Sequence, residues 1–379
     1  MRITDVTTCG LQGATPEGGW KNELRPEDTV HTLIAVHTDT DLVGIGSAFT
    51  SESLVRGAVE ILLPLLKGKN PLEVQNLTES LNQATFWMGR GGSVTHTISA
   101  IDIAMWDILG KAMNQPSGLF LGGYFRTEVR PYASVLMDQP AALKDKLEAL
   151  LEAGFGAFKI GWGPFGRVSD ALDEDIVRAA RETIGDGMLA VDAGGSDAYF
   201  PARYNWAKRT SQMLADYDVA WFEEALHPDD LEGFVELRKA SPVAISGGEV
   251  LTRRQSFKPY IEKRAFDIIQ PDTTKGGGLT ESMRIGRNAE DAGIKVIPHG
   301  WNTGVGLAAD LQLASALPTT DYVEYTPDAA YIDELTVQGW NIEDDGLIKI
   351  PDQPGLGIEL NVDALEKYGT TPDFHRRVK

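Results

Sequence analysis

Three short segments, LAVD (Leu189–Asp192), WFEE (Trp221–Glu224) and ISGGE (Ile245–Glu249), decide the fold of this chain. Each is a run of strand length, mostly apolar, that ends in a carboxylate. The stretches between them are amphipathic and long enough for one helix each. The pattern therefore predicts parallel strands joined by helices, with acidic residues at the strand ends.

The same alternation continues on both sides of these segments. The eight strand candidates are Val129–Val135, Ala157–Gly161, Leu189–Ala193, Ala220–Glu224, Val243–Gly247, Phe266–Pro271, Ile294–Pro298 and Tyr322–Tyr325. Seven of them are followed by helical patterns, which predicts an α/β fold with a modified TIM barrel of the form (β/α)7β. An open doubly wound sheet is the alternative, but the sequence lacks the glycine fingerprint that follows its first strand.

The two ends of the chain have a different pattern. Strand-like segments at Met1–Thr8, Thr29–Thr38 and Val43–Ala48 precede helical patterns at Ser51–Leu66, Pro71–Thr85 and Ser93–Lys111. We therefore predict an α+β capping domain over residues 1–128 and the barrel over residues 129–330. The tail, residues 331–379, contains proline- and glycine-rich turns and is expected to pack back on the capping domain.

Composition excludes several classes of partner. The 379 residues suffice for two domains, and 42% hydrophobic with 24% charged residues is ordinary for a globular protein. The net charge of −20 argues against nucleic acid and against anionic membranes. Cys9 is the only cysteine, so an intrachain disulfide is excluded. With neither a signal-peptide pattern nor a membrane-length apolar run, a cytoplasmic location is expected.

The carboxylates at the strand ends predict a metal site. Side chains at the carboxyl ends of barrel strands converge on one mouth, so Asp192, a carboxylate of the Glu223–Glu224 pair, and Glu249 are expected to meet there. Unpaired, they would repel one another strongly, and a hard divalent cation relieves that repulsion. Ligation by oxygen alone favours Mg²⁺. The alternative for any single acid is a helix cap or a lysine partner.

The next two strands end in Asp272 and His299, which are expected to be neighbours at the same mouth. A carboxylate beside an imidazole fixes its tautomer and raises its basicity, which predicts a general base facing the metal. A histidine with a purely structural hydrogen bond is the alternative. Lys159 ends strand two and is expected to act either as a base or as a charged contact for a substrate carboxylate. Glu324 ends strand eight, and we expect it across the ring from Lys159.

These residues carry a recognisable pattern over essentially the whole chain. The motifs are Val191-Asp192-Ala193, Trp221-Phe222-Glu223-Glu224, Gly247-Gly248-Glu249, Gln270-Pro271-Asp272, Gly276-Gly277-Gly278, Pro298-His299-Gly300-Trp301 and Pro354-Gly355-Leu356-Gly357. In these motifs the chain resembles the mandelate racemase subgroup of the enolase superfamily, including its sugar-acid dehydratases. The resemblance implies that Asp192, Glu223 and Glu249 bind Mg²⁺ and that Asp272 and His299 form a catalytic dyad. It also implies that Glu324 contacts the substrate carboxylate, that the first domain selects the substrate, and that the protein forms a homo-oligomer.

The chain departs from the family pattern on strand two. The family usually has two lysines separated by one residue, whereas this chain has Phe158-Lys159-Ile160-Gly161-Trp162. If Lys159 is the first lysine, Gly161 replaces the second, which is the usual base on one face of the substrate. If Lys159 is the second, that base is present. Further along, Gly194 stands where the family usually has asparagine, and we expect this change to widen the site or remove a polar contact.

The resemblance implies removal of the proton next to a substrate carboxylate, and the later steps decide the reaction. In the leading hypothesis a β-hydroxyl leaves, so an aldonate or aldarate becomes a 2-keto-3-deoxy acid. This reaction needs only one base. Cycloisomerisation of a lactone or anhydro-sugar acid also needs one base and stays open, whereas a racemase needs a base on each face. The muconate-lactonizing subgroup requires a strand-six lysine, for which only Lys275 is available. A carboxylate-binding protein without catalysis is the alternative class.

Substrate choice is expected to depend on loops of the capping domain. Gly18–Glu27 contains Trp20, Lys21 and Arg25, and Phe86–Gly92 contains Trp87 and Arg90. Either Lys21 or Arg90 could meet a second substrate carboxylate, and ordinary surface loops are the alternative.

Overall fold

The computed structural model describes residues 1–12, 30–197, 200, 203–327 and 329–378. The predicted cap loop with Trp20, Lys21 and Arg25 lies outside the described residues. None of the described helices combines the length and the apolar character needed to cross a membrane.

An antiparallel three-stranded sheet opens the fold, in the order β1 (Ile3–Leu11), β2 (His31–Thr38) and β3 (Val43–Ala48). The helices that follow are α1 (Glu52–Leu66), α2 (Val74–Ala84), a 3-10 turn at Phe86–Met88, α3 (Gly92–Met113) and α4 (Ser117–Leu121). The backbones of β3 and α3 approach so closely that a Cβ on Gly46 would lie 1.9 Å from the Ala100 carbonyl oxygen. A glycine is therefore required at that position.

Eight parallel strands form a curled sheet. They are β4 (Glu128–Leu136), β5 (Ala157–Gly161), β6 (Met188–Asp192), β7 (Trp221–Glu223), β8 (Ala244–Gly247), β9 (Ile268–Ile269), β10 (Lys295–Val296) and β11 (Tyr322–Tyr325). The connecting helices are α5 (Pro140–Glu152), α6 (Asp170–Ile184), α7 (Tyr204–Asp216), α8 (Leu231–Ala240), α9 (Arg253–Glu262), α10 (Gly278–Asp291) and α11 (Gly304–Ala316). The predicted class, an α/β fold with a (β/α)7β arrangement and a separate capping domain, is confirmed.

Backbone pairing runs in the order β10-β9-β8-β7-β6-β5-β4-β11. The seam of the curled sheet therefore lies between β10 and β11. A side chain bridges it, because the Gly300 amide after β10 donates a 2.8 Å hydrogen bond to Oε2 of Glu324 on β11.

The side chains inside the barrel form two layers. The lower layer is an apolar cluster of Tyr132, Ala157, Ala190, Trp221, Ile268 and Ile297. Side chains on one face of a strand recur every second residue. The next inward positions are accordingly Ser134, Lys159, Asp192, Glu223, Gln270 and His299. Apolar residues thus fill the barrel below, and polar residues occupy its carboxyl-terminal mouth, where barrels of this type carry their chemistry.

The first domain is joined to the barrel through α3. Asp102 on α3 accepts hydrogen bonds from the Thr280 amide of α10 (3.0 Å) and from Thr78 of α2 (2.7 Å). Trp106, one turn further along α3, donates from Nε1 to Thr280 Oγ1 at 2.9 Å. These buried bonds fix the orientation of the first domain over the barrel.

The tail contains α12 (Ala330–Asp333), β12 (Ile348–Lys349), α13 (Val362–Tyr368) and α14 (Phe374–Arg377). It contacts both larger units: β12 pairs with β4, and Gly369 forms a bridge with Leu11 of β1. The domain boundaries after residues 128 and 330 stay predictions.

Candidate active site at the barrel mouth

Three buried carboxylates meet at the mouth. Asp192, Glu223 and Glu249 each offer an oxygen, and these oxygens all lie within 4.8 Å of one another. Strand register creates the arrangement, because Asp192 pairs with Glu223 across β6 and β7. Burial and the neighbouring Glu223 raise the pKa of Asp192 well above its usual value. A set of buried oxygens with this repulsion fits a hard divalent cation, so the group could hold a metal ion.

Hydrogen-bond donors orient two of these carboxylates. Glu223 Oε2 accepts from Gln270 Nε2 at 2.7 Å and from Trp221 Nε1 at 3.0 Å. Asp192 Oδ1 accepts from the Gly194 amide at 2.7 Å. Fixed carboxylates lose less entropy when they bind a metal, so these donors prepare the site.

Glu224, adjacent in sequence to Glu223, is also buried close to this group: burial and the neighbouring Glu249 and Asp192 raise its pKa well above the usual value. Its backbone is left-handed (φ 43°), and its Oε2 accepts a 2.5 Å bond from Ser196 Oγ. Of the two glutamates, Glu223 belongs to the group whose oxygens lie within 4.8 Å of one another, and its role as a metal ligand stays a prediction.

Lys159 is surrounded by carboxylates. Its Nζ lies 2.6 Å from Glu223 Oε1 and 2.9 Å from Glu324 Oε1. Burial alone would lower the pKa of Lys159, but Glu223 and Glu324 outweigh burial and raise it well above its usual value. Our expectation that Glu324 lies across the ring was wrong: β11 is separated from β5 only by β4, so the two side chains are in contact.

Gly161 occupies the next inward position after Lys159 on β5. It is in register with Asp192, and a Cβ added to Gly161 would lie 2.8 Å from the Asp192 Cβ. The next inward position after Lys159 therefore carries no side chain, and which lysine of the family pair Lys159 matches stays a prediction. A longer side chain at 161 would displace the neighbouring carboxylate.

Trp162 fills the space beside Gly161. A Cβ on Gly194 would lie 2.6 Å from the indole of Trp162. Of the two expectations for Gly194, the widened site is wrong because the indole occupies that volume, and the loss of a polar contact stays a prediction. The indole Nε1 also donates to Asp192 Oδ2 at 3.2 Å. Trp162 has a left-handed backbone (φ 59°), which is unusual for a bulky residue and is typical of functional sites.

His299 and Asp272 form a buried pair on the opposite wall. His299 Nδ1 lies 2.7 Å from Asp272 Oδ2, while Nε2 faces Glu249 Oε2 at 3.4 Å. The Thr274 amide and hydroxyl donate to Asp272 Oδ1 at 2.7 and 2.6 Å. Burial would lower the pKa of His299, but Glu249 and Asp272 help raise it above its usual value. With Nδ1–H donated to Asp272, Nε2 is the atom available to accept a proton.

Hydrogen bonds to a residue of α11 connect the two loops that carry this pair. Asp310 on α11 accepts from Thr273 Oγ1 at 2.7 Å and from Asn302 Nδ2 at 3.2 Å. Thr273 follows Asp272, and Asn302 lies in the loop after His299. Asp310 therefore links the two loops, and burial raises its own pKa well above the usual value.

A cavity opens over these groups. Within the part of the chain that the structure describes, its lining residues come from the barrel: Ser134, Val135, Leu136, Lys159, Gly161, Trp162, Asp192, Glu249, Lys275, His299, Trp301 and Glu324. Trp87 and Arg90 do not line it. Trp87 is 94% exposed, and the Arg90 guanidinium lies 5.4 Å from the Phe86 ring beside a separate cavity.

Gln270 and Trp162 were given no role from the sequence, and Lys275 was considered only as the strand-six lysine of the muconate-lactonizing subgroup. Gln270 could have been found, because it lies two residues before Asp272 on the inward face of the same strand. Trp162 and Lys275 lie beyond the ends of β5 and β9, so strand alternation does not predict where they point.

Comparison with known proteins agrees with this geometry. Residues 142–364 match the model for enolase C-terminal domain-like proteins. Residues 27–122 match the model for the mandelate racemase/muconate lactonizing enzyme N-terminal domain. The chain belongs to the mandelate racemase subgroup of the enolase superfamily.

Relatives in this subgroup cover almost the whole chain. A D-galactarolactone cycloisomerase from Agrobacterium fabrum is 31% identical over 97% of this chain and 99% of that protein. A D-xylonate dehydratase from Haloferax volcanii is 30% identical over 97% of this chain and 88% of its own length. The 3,6-anhydro-D-galactonate cycloisomerase from Zobellia galactanivorans superimposes with a TM-score of 0.87 at 27% identity, covering 98% of this chain and 100% of that one. The predicted membership of the subgroup is confirmed, whereas the roles of individual site residues stay predictions.

Proposed function

We propose that this protein is a Mg²⁺-dependent enzyme that removes the α-proton of a sugar acid and then expels a β-oxygen, giving a 2-keto-3-deoxy acid. Dehydration of an aldonate or aldarate is the form we favour. The single observation that carries the proposal is the asymmetry of the mouth: a His299–Asp272 pair on one wall and Gly161 on the other. Elimination needs one base, whereas racemisation needs one on each face.

The base in this proposal is His299 Nε2. Asp272 accepts the Nδ1 proton, so the imidazole keeps the tautomer whose Nε2 lone pair faces the cavity. Once protonated, the same Nε2 can deliver its proton to the departing β-oxygen. One side chain thus serves as base and then as acid.

Asp192, Glu223 and Glu249 would hold Mg²⁺, which supplies positive charge where negative charge develops on the substrate carboxylate. Lys159 would contact the same carboxylate, because its ammonium lies 2.6 Å from Glu223 and borders the cavity. The pKa of Glu324 falls to about 2: burial would raise it, but Lys159 and His299 outweigh burial. Glu324 is therefore ionised, and we propose that it fixes Lys159 and Gly300 instead of donating to the substrate.

Cycloisomerisation is the second candidate, because two of the compared relatives are cycloisomerases. Both reactions share α-proton removal and loss of a β-oxygen. In dehydration that oxygen departs as water. In cycloisomerisation it belonged to the ring of the lactone or anhydro sugar, so it stays attached to the product when the ring opens. His299 and Gly161 serve both equally well.

The test incubates the purified protein with Mg²⁺ and a panel of aldonates, aldarates, their lactones and anhydro-sugar acids. A 2-keto acid is detected by its reaction with semicarbazide, and product mass separates the two candidates. Dehydration gives a product lighter by one water, and cycloisomerisation gives one of unchanged mass. Epimerisation of the α-carbon would contradict the one-base proposal. Ligand binding without any turnover would favour a non-catalytic carboxylate-binding protein.

A further inference from the structure

We propose that Lys275 binds a second carboxylate, at the far end of the substrate, and so selects aldarates and their lactones over aldonates. The inference rests on the proposed function, because it concerns the same cavity. It adds a residue that determines specificity and a narrower class of substrate.

Lys275 lies in the loop between β9 and α10, and its side chain is 9% exposed. It lines the cavity together with His299 and Trp301. Its Nζ is 3.6 Å from Asp272 Oδ2 and 4.3 Å from the ring centroid of Phe49, which follows β3 in the first domain. The ammonium group is therefore held where the first domain meets the barrel mouth.

The hydrogen-bonding capacity of this ammonium is unused. An ammonium has three N–H donors. Within the described ranges of the chain, Lys275 Nζ forms no hydrogen bond, and its one ion pair, to Asp272, is longer than a hydrogen bond. Asp272 already accepts from Thr274 and is paired with His299. Because the ammonium lines the cavity and has open donors, an anionic ligand there could form charge-assisted hydrogen bonds to it.

The other lysine of the cavity has the opposite surroundings. Lys159 Nζ has carboxylate oxygens of Glu223 and Glu324 at 2.6 and 2.9 Å. Lys159 lies with the acidic group that would hold the reacting end of the substrate. Lys275 lines the cavity beside the His299–Asp272 pair, and its ammonium contacts Phe49 of the first domain, so a chain that extends past His299 would present its distal group there. In a protein with a net charge of −20, such a local cation favours a second carboxylate over a hydroxyl.

The test compares pairs of acids that differ only at carbon six: galactarate with galactonate, and glucarate with gluconate. Affinity is measured by calorimetry with saturating Mg²⁺ in the His299→Asn protein, so that turnover does not interfere. We expect the diacid of at least one pair to bind about 10- to 100-fold more tightly than its monoacid, as for a charge-assisted hydrogen bond. Adding Lys275→Met, which keeps the apolar stem, should abolish that preference while leaving monoacid affinity within about threefold.

Two further variants serve as controls. Lys275→Arg keeps the charge and should retain most of the preference, whereas a lysine acting as a proton-transfer group would not be replaced by arginine. Lys258→Met, at a 68% exposed position on α9, changes the net charge equally and should have no effect. Melting curves verify that each variant is folded.

The proposal is overturned if neither pair shows a preference that depends on Lys275, including the case in which no acid binds. It is also overturned if Lys275→Met weakens diacids and monoacids equally, because that result describes a structural lysine. Failure of the proposed function would look different: a Lys275-dependent preference for diacids would persist, but the unmodified protein would turn none of them over.

Discussion

The two walls of the cavity use similar residue types in opposite ways. On the β5 wall, Lys159 is a buried cation in contact with carboxylates of Glu223 and Glu324, and the next inward position of the strand is Gly161. On the β9–β10 wall, His299 has one nitrogen engaged by Asp272 and the other facing the cavity, and Lys275 donates no hydrogen bond to any residue in the described ranges. One wall holds charge in a fixed network, and the other can exchange protons. For the chemistry of each wall, the number of basic residues therefore matters less than whether their polar atoms already have hydrogen-bond partners.

Removing the base should produce the largest effect. We expect His299→Asn to lower kcat/KM by about 1,000-fold or more, because a positioned general base contributes up to about 10⁴-fold. The fold and metal binding should be retained, because the asparagine side-chain amide can still donate a hydrogen bond to the buried Asp272. Exchange of the substrate α-proton in D2O, followed by NMR, measures the step directly. His227→Asn, at an exposed histidine, is the matched control; equal losses in both variants would contradict the assignment.

Removing the cation of the other wall should reduce stability as well as activity. Lys159→Met leaves Glu223 and Glu324 buried without their partner, and breaking such a pair costs about 3–5 kcal/mol of unfolding free energy. Saturating Mg²⁺ should restore part of the loss, because the metal neutralises Glu223. Urea denaturation with and without Mg²⁺ tests both statements. A variant as stable as the unmodified protein without metal would contradict the idea of a fixed charge network.

Metal binding should stabilise the folded protein by mass action. At a Mg²⁺ concentration 100 times its Kd, the expected gain is about 2.7 kcal/mol. Glu249→Gln removes one of the three carboxylates and should lose most of this gain. Differential scanning fluorimetry across a Mg²⁺ titration provides the measurement. An unchanged response in Glu249→Gln would place the metal elsewhere.

A single added methyl group on the β5 wall should have the smallest effect. In Gly161→Ala the new Cβ would lie 2.8 Å from the Asp192 Cβ, so Asp192 must move. We expect a loss of about 1–3 kcal/mol in unfolding free energy and about tenfold in metal affinity. Gly57→Ala is the control, because an added Cβ meets nothing within 4 Å at that helical position. It should stabilise the protein by about 0.5–1 kcal/mol. Unaltered metal affinity in Gly161→Ala would show that Asp192 tolerates the shift.

The sequence predicted the fold and much of the arrangement at the mouth, for one physical reason. Strand alternation and the convergence of strand ends are local rules, and they place Asp192, Glu223 and Glu249 together without knowledge of the rest. Asp272 and His299 follow from the same rule, because their strands are sequential neighbours. The order of the strands in the ring is also predictable, and our misplacement of Glu324 came from not applying it to strand eight.

What could not be predicted depends on side-chain direction beyond the strands. The surroundings of Lys159 come from three different strands, so the sequence alone left its alignment open. The position of Lys275 depends on a loop after a two-residue strand, and side-chain periodicity does not predict side-chain direction in a loop. Trp162 reaches the metal group only because its backbone adopts a left-handed conformation that the sequence does not indicate.

The hydrogen bond across the seam of the barrel provides a way to follow the state of the site. The Gly300 amide, one residue after His299, is held by the Glu324 carboxylate rather than by a neighbouring strand. The hydrogen-exchange rate of this amide therefore reports how often β10 and β11, the two strands at the seam, separate at the mouth. A ligand that draws Glu324 away would expose this amide, and one that braces Glu324 would protect it. A single backbone proton can thus distinguish bound states that are otherwise alike.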